Sequence, residues 1–436
     1  MPMDSILAPN FRDTPYWWDA APPLPIRATL PAACDVAIIG AGYTGLRAAL
    51  TLLRAGRSVA VFDKEDPGFG ASRRNAGYVG RTLKKSFDEL SAGHGRDYAL
   101  AIYRDLDAAL RSTLDFIARE GIACHAVRCG RFIAATSPHH YEVMAKELAS
   151  MKRHLGFDFA MVPQADQNSE FASEIYFGGA VIPDLGSLHP GLYHKGLLER
   201  VLAAGGLVLG RTEVRRIARG SPAGFEVVTA GGAVAAREVV VATNGYTPRQ
   251  FAWQARRVIP FTGYMAATEE LPADLLAKAI PNRRTVIDSN IDIDFFRPAP
   301  DTPRLLFGGA TGSGLKGTDQ IARKLHGILG RVLPELAGKR LSHVWSGQCA
   351  GTFDMMPHIG QADGIWYAMG YNFAGVPMGS YLGEKLGQKI LGLAEGKTAF
   401  DIAPFPTRPF YRGNPWFVPL AMRWFRRQDR RTAKGA

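Results

Sequence analysis

The sequence contains few cysteines, which limits the covalent and metal frameworks that the chain can form. The four are Cys34, Cys124, Cys129 and Cys349. No two of them form a Cys-x-x-Cys pair, so neither a disulfide scaffold nor a structural zinc site is expected. The ten histidines, including the adjacent His139 and His140, also lack metal-ligand spacing. We therefore expect no metal, a reducing compartment and a cytoplasmic location.

Long hydrophobic runs are also missing. The most apolar stretch, Val36 to Leu53, is interrupted by one arginine, three glycines and two threonines, which is too broken for a membrane span. The first 30 residues lack the basic start and apolar core of a secretory signal, so we expect the mature protein to begin near Met1. These absences favour a soluble globular protein, and 436 residues allow two intertwined domains.

Negative charge is in deficit, because the formal net charge is +12, and much of the excess positive charge lies in residues 416–436. The cationic and aromatic residues of this segment are Trp416, Phe417, Arg423, Trp424, Phe425, Arg426, Arg427, Arg430, Arg431 and Lys434. We interpret it as a basic, solvated C-terminal tail. Peripheral contact with an anionic membrane is the alternative, and no nucleic-acid partner is expected because no aromatic stacking platform is evident.

A dinucleotide-binding motif lies near the N-terminus. The apolar run 34–39 leads directly into residues 40–45 (GAGYTG), which match Gly-x-Gly-x-x-Gly. A helical apolar pattern follows and Gly56 is placed to end that helix, after which residues 58–62 (SVAVF) predict a second strand ending at Asp63. Strand, helix, strand and acid in this order predict a Rossmann-type βαβ unit.

Each part of this motif has a physical role. Gly40 permits a tight turn, Gly42 lets the backbone approach a pyrophosphate, and Gly45 lets the helix pack closely on the strand. The phosphates then meet the helix N-terminus, where free N–H groups and the helix dipole favour negative charge. Asp63 is placed to accept hydrogen bonds from the ribose hydroxyls.

The following loop favours FAD over NAD, between which the fingerprint alone does not choose. Residues 68–80 (GFGASRRNAGYVG) combine many small residues with Arg73 and Arg74, as suits a chain that passes close to a flat ring and a diphosphate. Near the C-terminus, the turn-rich residues 370–375 precede Pro377 and a predicted helix. The positive end of that helix would stabilise the negative charge of a reduced flavin.

These motifs resemble the D-amino-acid oxidase superfamily, in the branch that contains glycine oxidase, sarcosine oxidase and gamma-glutamylputrescine oxidase. The resemblance runs almost end to end. It is carried by residues 16–18 (YWW), 70–77 (GASRRNAG, with Arg73 in place of a glycine), 239–248 (VVVATNGYTP), 345–352 (WSGQCAGT) and 370–377 (GYNFAGVP).

The resemblance implies an α/β fold in which a Rossmann-type, glutathione-reductase-like FAD-binding domain is interleaved with a mixed-sheet substrate domain. We assign residues 1–95, 185–250 and 343–415 to the FAD-binding domain, and residues 96–184 and 251–342 to the substrate domain. Helices are predicted at 98–121, 141–155 and 192–204. Strands are predicted at 207–209, 225–229, 261–268, 285–288, 294–297 and 304–307.

The motifs and the resemblance together imply a set of cofactor-binding residues. They are Gly40, Gly42, Tyr43, Thr44, Gly45, Asp63, Lys64, Gly70, Ala71, Ser72, Arg73, Arg74, Asn75, Gly77, Val214, Ala242, Thr243, Gly245, Gly370, Asn372, Gly375, Val376 and Pro377. Val214 is expected on the adenine side. Cys349 matches the position where sarcosine oxidase tethers its flavin through a thioether, but we expect non-covalent FAD because buried thiols are usually inert.

The resemblance also bears on the substrate. Gly80, Pro377 and Cys349 match positions where sarcosine oxidase or glycine oxidase places a cation that holds the substrate carboxylate. An arginine is the natural partner of a carboxylate, so their replacement favours an amine or N-substituted compound over an α-amino acid. Arg81 or Arg297 could supply a substitute, which leaves amino acids open.

We therefore predict an enzyme acting on CH–NH or CH–NH2 groups, similar to gamma-glutamylputrescine oxidase. Hydride passes to flavin N5 and the resulting imine hydrolyses, so a shaped, dry pocket suffices and no base is assigned. Tyr264, Phe296 and Cys349 are predicted to line that pocket. The electron acceptor is O2 or another molecule. The alternatives are an oxidase or dehydrogenase of D-amino acids, glycine or sarcosine, a tRNA-modifying flavoenzyme, and the flavin subunit of a larger complex.

Overall fold

The computed structural model describes residues 3–220, 224–402 and 404–433, and these form an α/β structure with mixed sheets. The α-helices are α1 (Tyr43–Arg54), α2 (Phe87–His94), α3 (Arg96–Arg119), α4 (Pro138–Leu155), α5 (Pro190–Ala203), α6 (Ala252–Ala255), α7 (Ala273–Ala279), α8 (Gly317–Val332), α9 (Gly375–Ile390) and α10 (Val418–Ala433). The strands are β1 (Leu7–Arg12), β2 (Ala33–Ile39), β3 (Val59–Phe62), β4 (Tyr78–Val79), β5 (Arg131–Ala134), β6 (Ala160–Val162), β7 (Gly179–Ile182), β8 (Gly186–Ser187), β9 (Leu207–Leu209), β10 (Val214–Gly220), β11 (Gly224–Thr229), β12 (Gly232–Val241), β13 (Ile259–Thr268), β14 (Thr285–Asp288), β15 (Phe295–Pro298), β16 (Leu305–Gly309), β17 (Leu341–Gly351), β18 (His358–Ala362) and β19 (Ile365–Met369).

The smaller of the two large sheets has a parallel core in the order β9-β3-β2-β12-β19. Antiparallel strands β10, β11 and β18 extend it. Strand β3 is apolar throughout and β2 is apolar and buried from Val36 to Ile39, as expected for a sheet that is covered on both faces. In such sheets ligands bind beyond the carboxyl ends of the parallel strands, which here follow Ile39, Phe62 and Val241.

Helix α1 packs against α9 beneath this edge. A Cβ atom at Gly383 would lie 2.5 Å from the carbonyl oxygen of Thr44, so the two helices approach at backbone distance. Their apolar side chains, such as Leu46, Leu382 and Leu386, belong to one buried cluster. Close packing of the two helices holds both of their N-termini near the same edge of the sheet.

The larger sheet is mixed and has nine strands in the order β1-β17-β13-β16-β15-β14-β5-β7-β6. Its longest pairing joins β13 to β17, from Ile259 opposite Gly351 to Thr268 opposite Leu341. Helix α8 covers one face, where Leu325 and Leu329 join the buried side chains of the sheet.

The nine helices and strands predicted with bounds outside the βαβ unit are confirmed to within a few residues, and the helix predicted near Pro377 is confirmed as α9. The predicted helices correspond to α3, α4 and α5, and the predicted strands to β9, β11, β13, β14, β15 and β16. The βαβ unit is confirmed as β2, α1 and β3, with β2 paired in parallel to β3. Strands β1 and β17 lie in the nine-stranded sheet, although residues 1–95 and most of β17 were assigned to the FAD domain. The domain boundaries themselves stay a prediction.

The C-terminal segment that was interpreted as a basic, solvated tail contains helix α10. Asp429 accepts hydrogen bonds from the backbone N–H groups of Ile291 (3.2 Å) and Asp292 (3.4 Å), and Arg426 pairs with Asp292. Lys434 lies outside the described residues. Within the part of the chain that the structure describes, no helix has both the length and the apolar character needed to cross a membrane.

Candidate active site

A cavity of about 320 Å³ lies between the two large sheets. One end is lined by residues that follow the parallel strands, including Ala41 after β2, Asp63 after β3 and Ala242 after β12. The other end is lined by residues of the nine-stranded sheet, including Tyr264 on β13 and Phe295 on β15. We call these the nucleotide end and the substrate end.

The nucleotide end begins with the glycine turn after β2. Gly40 has a φ of 109°, which favours glycine, and its N–H donates to the carbonyl oxygen of Phe62 at 2.8 Å. A Cβ atom at Gly45 would lie only 2.0 Å from the carbonyl oxygen of Gly40. Larger residues at these two positions would therefore displace the turn or the start of α1.

Asp63 and Ser72 hold this turn in place. The Asp63 carboxylate accepts the N–H of Ala41 at 2.9 Å and that of Glu65 at 3.0 Å, and the hydroxyl of Ser72 accepts the N–H of Tyr43 at 3.0 Å. Burial raises the pKa of Asp63, although both backbone hydrogen bonds act against that shift. Asp63 thus orders the turn, in addition to the ribose contact predicted for it.

Arg73 does not line the cavity. Its side chain is fully buried, where Nε donates to Nδ1 of His194 at 2.9 Å and Nη1 donates to the carbonyl oxygens of Ala21 and Pro22. The other ring nitrogen of His194, Nε2, lies 2.7 Å from the carbonyl oxygen of Ala41. Arg73 and His194 therefore support the glycine turn from behind.

Arg74 does line the cavity. Its guanidinium donates to the carbonyl oxygens of Phe69 (2.7 Å) and Ser346 (2.9 Å). It also lies over the rings of Trp18 and Phe69, at 4.7 Å and 4.6 Å from their centroids. These contacts join the small-residue loop to β17 and fix the orientation of the arginine.

The N-terminus of α9 opens onto the cavity. Gly375, Val376 and Pro377, the first three residues of this 16-residue helix, are among the lining residues. Asn372 precedes them with a φ of 46° and its amide donates to the carbonyl oxygen of Gly370 at 2.6 Å. Together with α1, this arrangement directs the positive ends of two helix dipoles at one cavity.

Most of the predicted cofactor-binding residues line the cavity. Those that do are Gly40, Gly42, Tyr43, Thr44, Asp63, Lys64, Gly70, Ala71, Ser72, Arg74, Asn75, Val214, Ala242, Thr243, Asn372, Gly375, Val376 and Pro377. Those that do not are Gly45, Arg73, Gly77, Gly245 and Gly370. The four glycines lie behind the wall, where a Cβ atom would come within 2.5 Å of a neighbouring atom.

Two of the three predicted pocket residues line the substrate end, Tyr264 and Cys349. Phe296 does not, because successive residues of a strand point to opposite faces. Its ring is fully buried on the far face of β15, 5.9 Å from that of Phe307, while Phe295 faces the cavity. Burial raises the pKa of the Cys349 thiol to about 12.

Several residues of the substrate end were not predicted, because they come from many separate segments. They are Tyr78, Thr82, Arg131, Met265, Ile287, Ile293, Phe295, Thr311, Gln348 and Phe373. The short apolar runs at 286–287 and 295–296 were the available signal, but they do not say which face of the strand borders the cavity.

The two arginines that were considered as carboxylate partners are engaged elsewhere. Arg81 forms ion pairs with Asp107 and Asp184. Arg297 donates to the carbonyl oxygens of Ala76 (2.9 Å) and Leu188 (2.8 Å). Neither arginine is among the residues that line the cavity.

A family model described as FAD dependent oxidoreductase (DAO) matches residues 35–389. The chain belongs to this family. The DAO family implies FAD, and the glycine turn, the N-termini of α1 and α9 and the cavity between the sheets fit that cofactor. Residues outside the match include β1 and α10.

Curated relatives in this DAO family are enzymes. The chain is 30% identical to gamma-glutamylputrescine oxidoreductase of Escherichia coli (strain K12) over 389 residues, which cover 89% of this chain and 90% of the relative. It is 26% identical to glycine oxidase of Geobacillus kaustophilus (strain HTA426), covering 85% of this chain and 96% of that one. The protein is thus an FAD-dependent oxidoreductase of amines or amino acids.

Solved structures show the same fold. The crystal structure of glycine oxidase from Geobacillus kaustophilus superimposes with a TM-score of 0.70 at 24% identity, covering 87% of this chain and 99% of that one. L-proline dehydrogenase from P. horikoshii superimposes with a TM-score of 0.69 at 17% identity, covering 90% and 99%.

Proposed function

We propose that this DAO-family enzyme uses FAD to oxidise the C–N bond of an amine or N-substituted amino compound, giving an imine that hydrolyses. The observation that carries the proposal is the shape of the cavity, whose nucleotide end is built from glycines and helix N-termini. Its substrate end is built largely from aromatic and aliphatic side chains. Similarity to gamma-glutamylputrescine oxidoreductase supports an amine as the substrate.

Bound FAD would accept the hydride that leaves the carbon next to the amine nitrogen, and the protein orients the two partners. Residues 40–45 and the N-terminus of α1 would hold the diphosphate. Gly375 and Val376, at the N-terminus of α9, would stabilise negative charge at the ring edge. Tyr264 and Phe295 would form walls that exclude water from the reacting carbon.

The substrate end offers no obvious general base. No histidine occurs among the described residues that line the cavity, and burial raises the pKa values of Tyr264 and Cys349. The amine must therefore enter as the neutral form or lose its proton to water. We expect kcat/KM to rise with pH up to the pKa of the substrate amine, and to shift when the amine is changed. A profile that is the same for amines of different pKa would contradict this expectation.

The deciding experiment is anaerobic bleaching of the flavin spectrum by a panel of secondary amines, polyamine conjugates and amino acids. We expect at least one amine of the first two groups to reduce the flavin faster than the amino acids do. Faster bleaching by an α-amino acid would favour the second candidate, an amino-acid oxidase or dehydrogenase. Reoxidation of the bleached enzyme with O2 then distinguishes an oxidase from a dehydrogenase that uses another acceptor.

We propose that the FAD is bound non-covalently. A thioether would require the Cys349 sulfur to react, and the raised pKa of this buried thiol disfavours the reactive thiolate. Denaturation of the yellow protein should release all flavin and leave a chain of unmodified mass. A mass increase equal to FAD, lost in Cys349→Ser, would contradict this proposal.

We also propose a cytoplasmic enzyme that contacts an anionic membrane surface through helix α10 and the turn before it. Trp416, Leu420 and Trp424 are spaced four residues apart and are 71%, 57% and 58% exposed. Arg423 and Arg427 are exposed beside this apolar stripe. Exposed aromatic residues flanked by arginines are typical of helices that lie in a membrane interface.

Co-sedimentation with vesicles tests this contact. Phosphatidylglycerol vesicles should bind the protein and phosphatidylcholine vesicles should not. The double variant Trp416→Ser/Trp424→Ser should lose binding, whereas Leu393→Ser, which alters an exposed apolar residue outside α10, should keep it. Equal binding by both variants would refute the membrane contact.

A further inference from the structure

Arg131 is a buried arginine at the substrate end of the cavity, and the sequence analysis did not single it out. It is the first residue of β5, its side chain is 4% exposed, and it is among the residues that line the cavity. Strand β5 lies inside the nine-stranded sheet, where Arg131 pairs with Thr285 of β14 and Ile182 of β7. Its backbone is therefore held on both sides.

The guanidinium is also held in one orientation. Nε donates to the hydroxyl of Thr285 at 3.3 Å, and the guanidinium carbon lies 5.0 Å from the centroid of the Tyr78 ring. The Tyr78 hydroxyl in turn donates to the carbonyl oxygen of Phe296 (2.7 Å) and lies 3.1 Å from that of Val286. Tyr78 is thus a fixed platform beneath the arginine, as in other cation–π pairs.

The charge of Arg131 has no acidic partner within the described part of the chain. Nη2 is buried without any hydrogen-bond partner, and the neighbouring groups that act on the guanidinium are Tyr78, Cys129 and Arg81. The acidic residues that line the cavity, Asp63, Glu65 and Glu213, belong to loops at the nucleotide end. An arginine stays charged when buried, so an unpaired one costs free energy unless a ligand supplies the missing anion.

Gly80 packs close to the guanidinium of Arg131 and also lines the cavity. A Cβ atom at this position would lie 3.2 Å from Nη2 and 3.3 Å from Nη1 of Arg131. Glycine leaves this side of the guanidinium without a covering side chain. The guanidinium can then donate to a carboxylate that enters the cavity.

We infer that Arg131 binds a carboxylate of the substrate, so that the oxidised amine carries a carboxylate group. This inference rests on the proposed function, since it names the substrate class of the same cavity. Nucleotide phosphates are the less suitable partner because the diphosphate motif follows β2, whereas Arg131 lies on the other sheet. A carboxylate bound to Arg131 would lie on the wall opposite the parallel strands. The amine end of the same substrate would then extend into the cavity.

The test uses the holoenzyme and acetate as a simple carboxylate, with acetamide as the uncharged control. Acetate should perturb the flavin spectrum of the wild-type enzyme and acetamide should not. In Arg131→Met the acetate dissociation constant should rise roughly 10- to 100-fold, the effect of losing a charge-assisted hydrogen-bonded pair. Arg284→Met is the matched control, because Arg284 precedes β14 and pairs with Glu170 outside the cavity.

Substrate selectivity gives a second readout. Arg131→Met should raise KM for amines with a carboxylate and leave KM for uncharged amines unchanged, and melting of the folded holoenzyme should show no loss of stability. Equal acetate affinity in wild type and Arg131→Met would overturn the inference, as would a tenfold loss of FAD affinity, which would assign the arginine to the cofactor. If no amine bleaches the flavin, the proposed function fails, whereas the acetate titration still tests Arg131.

Discussion

The two ends of the cavity are built in different ways. At the nucleotide end, the wall consists largely of backbone groups. Residues 40–45 and the first turns of α1 and α9 present N–H groups to the cavity, and glycines leave it free of side chains. At the substrate end, side chains from β13, β14, β15 and β17 form the wall. This difference indicates that a cofactor common to a family can be held by local chain geometry. Substrate choice depends instead on which side chains are brought together by strands distant in the sequence.

The most damaging change should be a substitution at the backbone-built end. In Gly45→Ala, the new Cβ atom would lie 2.0 Å from the carbonyl oxygen of Gly40. Side-chain rotation cannot relieve this clash, because the backbone fixes the positions of both atoms. We expect purified Gly45→Ala protein to contain no bound flavin, as judged by its visible absorbance. Gly93→Ala, where no atom lies within 4 Å of the added carbon, should keep a full complement. Normal flavin content in Gly45→Ala would show that the turn tolerates displacement.

Variants of two neighbouring phenylalanines, Phe295 and Phe296, distinguish core packing from substrate contact. Phe296→Ala should lower the free energy of unfolding by about 3–5 kcal/mol, because its ring is fully buried against Phe307 and Phe171. Phe295→Ala should cost less stability and instead raise KM, because Phe295 borders the cavity. Denaturant unfolding and steady-state kinetics measure the two effects. An equal loss of stability without a change in KM for Phe295→Ala would place its ring in the core.

Asp63→Asn tests the side-chain support of the glycine turn. The asparagine amide group cannot accept one of the two backbone hydrogen bonds, from Ala41 and Glu65, that the carboxylate accepts. We expect FAD affinity to fall roughly 10- to 100-fold, as for the loss of a charge-assisted hydrogen bond. Asp66→Asn is the control, since Asp66 pairs with Arg27 and Arg211 outside the cavity and should leave the FAD dissociation constant unchanged.

The smallest expected effect concerns pH. Burial and the Arg73 charge lower the pKa of His194 well below 6.5, so the unfolded chain binds a proton that the folded chain does not. Stability from this residue is therefore lost as pH falls below about 6.5, by about 1 kcal/mol between pH 6.5 and pH 5.5. His194→Gln, which can keep both hydrogen bonds, should lose this part of the pH dependence. If the melting temperatures of wild type and His194→Gln changed equally with pH across that range, the assignment would be contradicted.

The nucleotide end could be predicted because its information is local. Gly40, Gly45 and Asp63 act through the turn and strand in which they stand, so spacing along the chain specifies their geometry. The helix starting near Pro377 was predictable for the same reason. Arg73 was an exception among the predicted side chains, because adjacent arginines look alike in the sequence while only Arg74 lines the cavity.

The substrate end could not be predicted to the same depth. The strands β13 to β16 were predictable from short apolar and aromatic runs, but such a run does not state which face borders a cavity, and Phe296 was chosen where Phe295 lines it. Arg131 stands more than a hundred residues before Thr285, its partner on β14, so only strand pairing brings them together.

By itself the sequence determined the fold class, the nucleotide-binding unit and the family, because these depend on short motifs and on the periodicity of single elements. Only the tertiary structure decided which side chains share the substrate end and that Arg131 among them lacks an acidic partner. The reason is physical: burial and charge pairing are properties of the neighbours in space, and those neighbours come from strands far apart along the chain.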